Sequence, residues 1–283
     1  MMMNHSKSIS TSLFLLLLLL QILHPTPITA QEVEDETEFD YLKDSGKGPE
    51  HWGDLREDWA ACKNGTMQSP IDLRSEIVQV RPNKGEVKLK YKPSNATIRN
   101  RGHDISIQWK LGDAGSVEIN GTDYWLIQGH WHSPSEHTIN GKRFDLELHM
   151  VHLIPDANVE NNIAVLAYLY KIGKPDKFLS EVSKDIKSLI NVKEERHIGV
   201  VDPRNVRKGS ANFYKYKGSL TVPPCTEGVT WIVDKELTTV SREQVELLRE
   251  AVDDSAETNA RPLQALNGRK VQYFYGHESH IRD

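Results

Sequence analysis

Eight stretches of strand-like sequence bounded by turn residues limit what this chain can fold into more than any other feature. They cover 86–92, 97–111, 115–121, 123–132, 145–154, 163–173, 212–221 and 228–237. Each is rich in Val, Ile, Tyr, Trp or Leu, and several alternate apolar with polar residues, as a strand with one face on a core requires. Helical spacing is confined to 177–192 and 241–252, and the second stretch opens with a Ser241-x-x-Gln244 capping box. From Tyr41 onward there is no long linker, low-complexity block or repeat. The expectation is a single α+β domain, mainly β, built on a large, mostly antiparallel twisted sheet with peripheral helices.

The ends of the chain read differently. Lys7 precedes the apolar run Leu13–Leu23, and a small residue, Ala30, follows the prolines. That run is shorter than the roughly 20 residues a bilayer needs, so 1–30 reads as a signal peptide, leaving no membrane anchor in the mature chain. Residues 31–40 read as an acidic N-terminal arm, 41–275 as the domain and 276–283 as a polar tail. In an oxidising compartment the pair Cys62 and Cys225 predicts a disulfide, whose long loop is worth roughly 5 kcal/mol by chain entropy alone. Asn64, Asn95 and Asn120 head glycosylation sequons beside turn residues. The net charge is -5 and no basic stripe dominates, which argues against nucleic acid as a partner.

The chemistry concentrates in two of the strands. Side chains at i and i+2 share a face, so Gln128, His130 and His132 point together, with Trp131 opposite. In the second strand Glu147, His149 and Val151 share a face, while Leu146, Leu148, Met150 and His152 take the other. Two neighbouring strands would therefore converge three imidazoles, and catalytic zinc uses three protein ligands plus one open position. Gln128 and Glu147 each lie two residues before a histidine, where a metal-bound ring needs an acceptor for its other N–H. His137 and His152 read as buried structural residues, His51 as a surface one, and His277 and His280 as tail residues.

The order of motifs resembles the α-type carbonic anhydrases, most closely the secreted plant members, over about Tyr41 to Tyr275. The family signature stands as Ser135, Glu136, His137, Phe144, Glu147 and His149, with "GPEHW", "QSPID", "RGHD" and "GSLTVPPC" in the family's order. The resemblance implies zinc as cofactor on His130, His132 and His149. It implies Gln128, Glu147 and the backbone carbonyl of Asn259 as the groups that orient those rings. Thr221 and Glu136 become the pair that aims the nucleophile, and His103 the residue that exports the proton. Val151, Val165, Leu220, Val229 and Trp231 become the apolar wall that holds carbon dioxide. Cys62 and Cys225 match the bridge of secreted members, and Pro70 and Pro224 the cis prolines.

The expected activity is reversible hydration of carbon dioxide to bicarbonate and a proton. Two departures bear on turnover. Val222 stands where many members have a second threonine, and the cation of Arg101 would disfavour a protonated His103 if the two are close. The alternative is a storage, defence or redox protein on the same fold. The signal peptide implies export to the cell-wall space, with a plastid reached through the secretory route as the other destination. The reading leaves the oligomeric state open.

Overall fold

The computed structural model describes residues 38–276, apart from 157, 160, 191, 207–210 and 253–257. All of them belong to one compact unit, 32–283. The signal peptide, most of the acidic arm and the histidines of the tail lie outside the described residues.

Short helices α1 (Trp52–Leu55) and α2 (Ala61–Asn64) precede strands β1 (Asp72–Leu73), β2 (Gln79–Pro82), β3 (Val87–Tyr91) and β4 (Ser94–Asn100). Next come β5 (Ile105–Trp109), β6 (Gly115–Ile119), β7 (Thr122–His132), β8 (Thr138–Ile139), β9 (Leu146–Leu153) and β10 (Ile163–Ile172). The chain continues through α3 (Lys177–Lys187), β11 (Glu195–Val201), β12 (Phe213–Ser219), β13 (Glu227–Asp234), β14 (Thr238–Val240), α4 (Arg242–Val252) and β15 (Gln272–Tyr275).

Thirteen of the strands form one sheet, with the main order β11-β4-β5-β7-β9-β10-β13-β12-β15-β2. The expected sheet is there, but it is mixed. β10 pairs in parallel with β13 and β14, and β15 with β2, while the pairs from β4 through β10 are antiparallel. The parallel pairs arise where a longer connection returns the chain on the same heading, which alternation within a strand does not encode.

The stretch 97–111 is two strands. Gly102 takes φ 88°, a left-handed conformation open to glycine, and turns the chain between β4 and β5. His103 therefore sits in a hairpin connection rather than mid-strand. A second hairpin joins β6 to β7 through Asn120 and Gly121, at φ 50° and 84°.

The sheet's two faces have different jobs. One carries Trp131, Leu148, Met150, Leu166, Tyr168 and Ile232, and α3 and α4 supply Phe178, Leu179, Val182, Val245 and Leu248 to the same core. Gly129 also belongs to this face, since a Cβ there would lie 2.9 Å from Met150 Sδ. Both helix starts are capped. Asp176 accepts from Leu179 N–H at 2.8 Å, and Ser241 and Gln244 exchange side-chain bonds to each other's backbone N–H, as the capping box predicts.

Near the N-terminal end of the described chain, Phe39, Tyr41, Trp52, Trp59, Cys62, Val222 and Cys225 form a separate apolar cluster. Phe39, placed at sequence level in the arm, is fully buried. Burying a Phe side chain contributes roughly 1.5–3 kcal/mol, enough to pull the end of an otherwise solvated segment into the fold. Cys62 and Cys225 are bonded within this cluster, with Cα atoms 5.0 Å apart and a sequence separation of 163.

Candidate metal centre and active site

The site lies on the sheet face opposite the helices, and strand register builds it. His130 of β7 stands directly across from His149 of β9, and His132 across from Glu147. Gln128 is opposite Val151, which is opposite Val165, which in turn is opposite Trp231. Paired residues share a face, so these registers place imidazoles and apolar side chains in adjacent rows. A β-bulge between Leu126 and Gln128 makes this possible. It sends Leu126 to the helix-side core while Gln128, His130 and His132 keep the other face, which strict alternation would not allow.

The rings of His130, His132 and His149 have centroids 4.6–5.1 Å apart. One nitrogen from each lies within 4.8 Å of the others, and all three residues are buried. The far nitrogens of two rings are committed. His132 Nδ1–H donates to the Asn259 carbonyl at 2.7 Å, and His149 Nε2–H donates to Glu147 Oε1 at 2.8 Å. Those bonds fix the tautomers, leaving lone pairs on His132 Nε2 and His149 Nδ1. His132 Nε2 is buried with no hydrogen-bond partner among the described residues. Neutral imidazoles with a spare lone pair, gathered around one point, are a donor set that fits zinc.

A polar chain holds this arrangement from below. Glu147 Oε1 also accepts from His137 Nδ1–H at 2.6 Å, and its Oε2 from the His137 backbone N–H at 2.8 Å. The Tyr216 hydroxyl lies 2.7 Å from His137 Nε2 and 2.8 Å from Ser69 Oγ. Burial alone would raise the Glu147 pKa, but the rings of His137 and His149 hold it well below the carboxylate range. Burial likewise disfavours the charged ring at His132, where Glu136 and the Asn259 carbonyl outweigh it and raise the pKa. At His149 burial prevails over Glu147, and the pKa falls. His152 lies across the sheet as expected, bonded to the Tyr91 hydroxyl at 2.7 Å and the Ala164 carbonyl at 3.3 Å.

Thr221 and Glu136 are both buried. Glu136 Oε1 accepts from Arg261 N–H at 2.9 Å, while Oε2 faces His132 Nε2 at 3.6 Å with no hydrogen-bond partner among the described residues. The Thr221–Glu136 bond implied by the resemblance is thus not formed here. One carboxylate oxygen is taken by the backbone of Arg261, and the other is turned to the imidazoles. Val151, Val165, Leu220, Val229 and Trp231 are all buried, and the first two share a row with Trp231.

His103 is only 1% exposed. Its ring lies 5.0 Å from that of Phe39, and its Nε2 is 3.7 Å from Asp104 Oδ2. The cation at Arg101 is compensated, because its guanidinium pairs with the buried Asp104 carboxylate, Nε to Oδ1 at 2.7 Å. Burial opposes ionisation of Asp104, but Arg101, His103 and His130 keep its pKa far below the usual range. Val222 packs into the aromatic cluster around the disulfide. Cis peptide bonds precede Pro70 and Pro224, and also Pro134, which had no sequence signal.

Comparison with known proteins settles the family. The profile described as eukaryotic-type carbonic anhydrase matches residues 47–275. The chain belongs to the α-carbonic anhydrases. Carbonic anhydrase Nec1 of Nesocodon mauritianus is 53% identical over 258 residues, covering 91% of this chain and 92% of that one. Alpha carbonic anhydrase 7 of Arabidopsis thaliana is 50% identical, covering 86% and 87% of the two chains. A solved structure of dioscorin complexed with ascorbate superposes with TM-score 0.80 at 43% identity, over 86% of this chain and all of that one. The chain is therefore a carbonic anhydrase by family, α-carbonic anhydrases are zinc enzymes, and its His130, His132 and His149 form a group able to hold a metal.

Tyr216, Arg261 and the side chain of Asn259 escaped the sequence reading. Each acts from a strand or loop remote in sequence from the residue it touches, and no spacing rule connects them.

Proposed function

We propose that this chain catalyses the reversible hydration of carbon dioxide to bicarbonate, with zinc held by His130, His132 and His149. The carrying observation is the convergence of those three buried rings beside the apolar row of Val151, Val165 and Trp231. Zinc, when bound, supplies a water acidified to near neutrality, an effect for which carbonic anhydrase is itself the type case.

The protein's part is positioning and proton handling. Val151, Val165, Leu220, Val229 and Trp231 hold an uncharged, linear substrate by apolar contact. Glu147 and the Asn259 carbonyl fix two ligand rings, and Gln128 lies two residues before His130 on the same face. Glu136 Oε2 has no hydrogen-bond partner among the described residues, so it is available to accept from the Thr221 hydroxyl once that side chain turns to it, and the pair would then orient the attacking group. His103 carries the released proton away from the pocket.

The mature protein starts near Gln31 after secretory export, to the cell-wall space or onward to a plastid. Asn64, Asn95 and Asn120 are exposed, as acceptors of glycan must be. Among the described residues no helix is long and apolar enough to cross a membrane. Against a storage, defence or redox role stands the intact set of ring ligands. Carbon dioxide hydration by the mature protein, compared with its His132→Ala variant, tests the proposal: activity that survives the substitution would refute it.

A further inference from the structure

We infer that the side-chain amide of Asn259 is a positioning residue that sets His103 and His132 relative to each other. The inference rests on the proposed reading of His132 as a metal ligand and His103 as the proton-exporting residue.

The amide's bonding leaves no doubt about its orientation. Oδ1 accepts from Ser133 N–H at 2.7 Å, and Nδ2 donates to the Trp131 carbonyl at 3.0 Å and the His103 carbonyl at 2.9 Å. Swapping oxygen and nitrogen would set a donor against an N–H and an acceptor against two carbonyls, so the flip is excluded by its partners. Trp131 and Ser133 are the residues on either side of His132. The amide thus grips the end of β7 as a neighbouring strand's backbone would. The Asn259 main chain completes the grip, since its N–H donates to the Ser133 carbonyl at 3.3 Å and its carbonyl takes His132 Nδ1–H.

The contact to His103 leaves β7 altogether. His103 lies in the β4–β5 connection, where Arg101 N–H donates to the Asp104 carbonyl at 2.9 Å and Gly102 N–H to Asn100 Oδ1 at 2.8 Å. Those bonds shape the loop internally, whereas Asn259 ties its carbonyl to the ligand strand. One NH2 group therefore donates to the backbone of the proton-handling residue and to the backbone beside a ligand. Removing it leaves two carbonyls to find other donors and lets the two segments shift independently. A displacement of about 1 Å at such a distance from the reacting atoms is enough to cost catalysis heavily.

The test uses the zinc-loaded mature enzyme and its Asn259→Ala variant, which keeps the main-chain carbonyl. Zinc affinity is read by chelator competition, and kcat and kcat/KM for hydration are read separately. The expected result is zinc affinity lowered roughly 10-fold, as for groups that orient ligands, and kcat reduced more than kcat/KM. Asn259→Asp keeps the acceptor for Ser133 but loses both donations, so it should do no better than Ala. A merely structural role would lower Tm and leave the zinc affinity and the ratio of kcat to kcat/KM where they were. That outcome, or wild-type behaviour in Asn259→Asp, overturns the inference. If Asn259→Ala does not fold, Asn259→Ser is judged by the same criteria. Wild type and His103→Ala run in parallel. Loss of hydration in wild type or an unchanged kcat in His103→Ala refutes the functional reading. Normal controls with an unaffected Asn259 variant refute this inference alone.

Discussion

Glu147 Oε1 lies 2.8 Å from His149 Nε2, and the bond leaves Nδ1 as that ring's only lone-pair nitrogen. The same oxygen accepts from His137, so a single carboxylate holds two imidazoles in fixed tautomers. A metal ligand oriented this way depends on a partner that never touches the metal.

Glu147→Gln should therefore weaken zinc binding roughly 10–100-fold, the usual effect of losing such a partner. His132→Ala removes a ligand and should weaken it more. Chelator competition on the folded proteins checks the order, and equal affinities for wild type and Glu147→Gln would contradict it.

His152 gives a prediction of opposite kind. Burial pushes its pKa down from 6.5 to about 3, against the weaker pull of its backbone partners. A group with a depressed folded pKa contributes stability that is complete above pH 6.5. That stability is lost as pH falls from there through about 3. Across that window the loss of stability is on the order of 5 kcal/mol. His152→Gln should be less stable at pH 7 yet lose less stability between pH 6.5 and 3, while keeping zinc. Denaturant melts across that range check it; parallel pH profiles for variant and wild type would count against it.

Much of this site was legible because strand geometry is periodic. Once 123–132 and 145–154 read as strands, period two separated His130, His132 and His149 from Leu148, Met150 and His152, and the structure has the same division. The bulge before Gln128 was not legible, since Leu126 and Ile127 are apolar under either register. Nor was β11, whose residues are mostly exposed and carry little apolar pattern. The side-chain amide of Asn259 and the backbone N–H of Arg261 act from irregular backbone on residues more than a hundred positions away, which no strand period connects. Phe39 looked like part of a solvated arm because its neighbours are acidic, and only the cluster it enters explains its burial.

The disulfide between Cys62 and Cys225 should leave the native protein without a titratable thiol until it is reduced. Reduction should then cost about 2–4 kcal/mol, because it frees a long loop in the unfolded chain. Thiol titration before and after reduction, with melts of both forms, measures each part. Two reactive thiols in the unreduced native protein would contradict the structure.

His103→Ala should slow turnover at saturating carbon dioxide while barely changing kcat/KM, because proton release follows the attack on the substrate. Imidazole buffer should restore much of the lost rate. Thr221→Ala should lower kcat/KM and gain no comparable rescue, since orientation acts in the attack itself. Equal losses of both parameters in His103→Ala, unresponsive to imidazole, would assign this buried ring to structure.

The central claim is zinc-dependent hydration at His130, His132 and His149. Metal analysis paired with stopped-flow carbon dioxide hydration tests it directly, on the mature protein before chelation, after it and after zinc is returned. The account predicts one zinc per chain, hydration lost with the metal and recovered on its return. Hydration that persists in the zinc-free protein, or stoichiometric zinc without hydration, would contradict it.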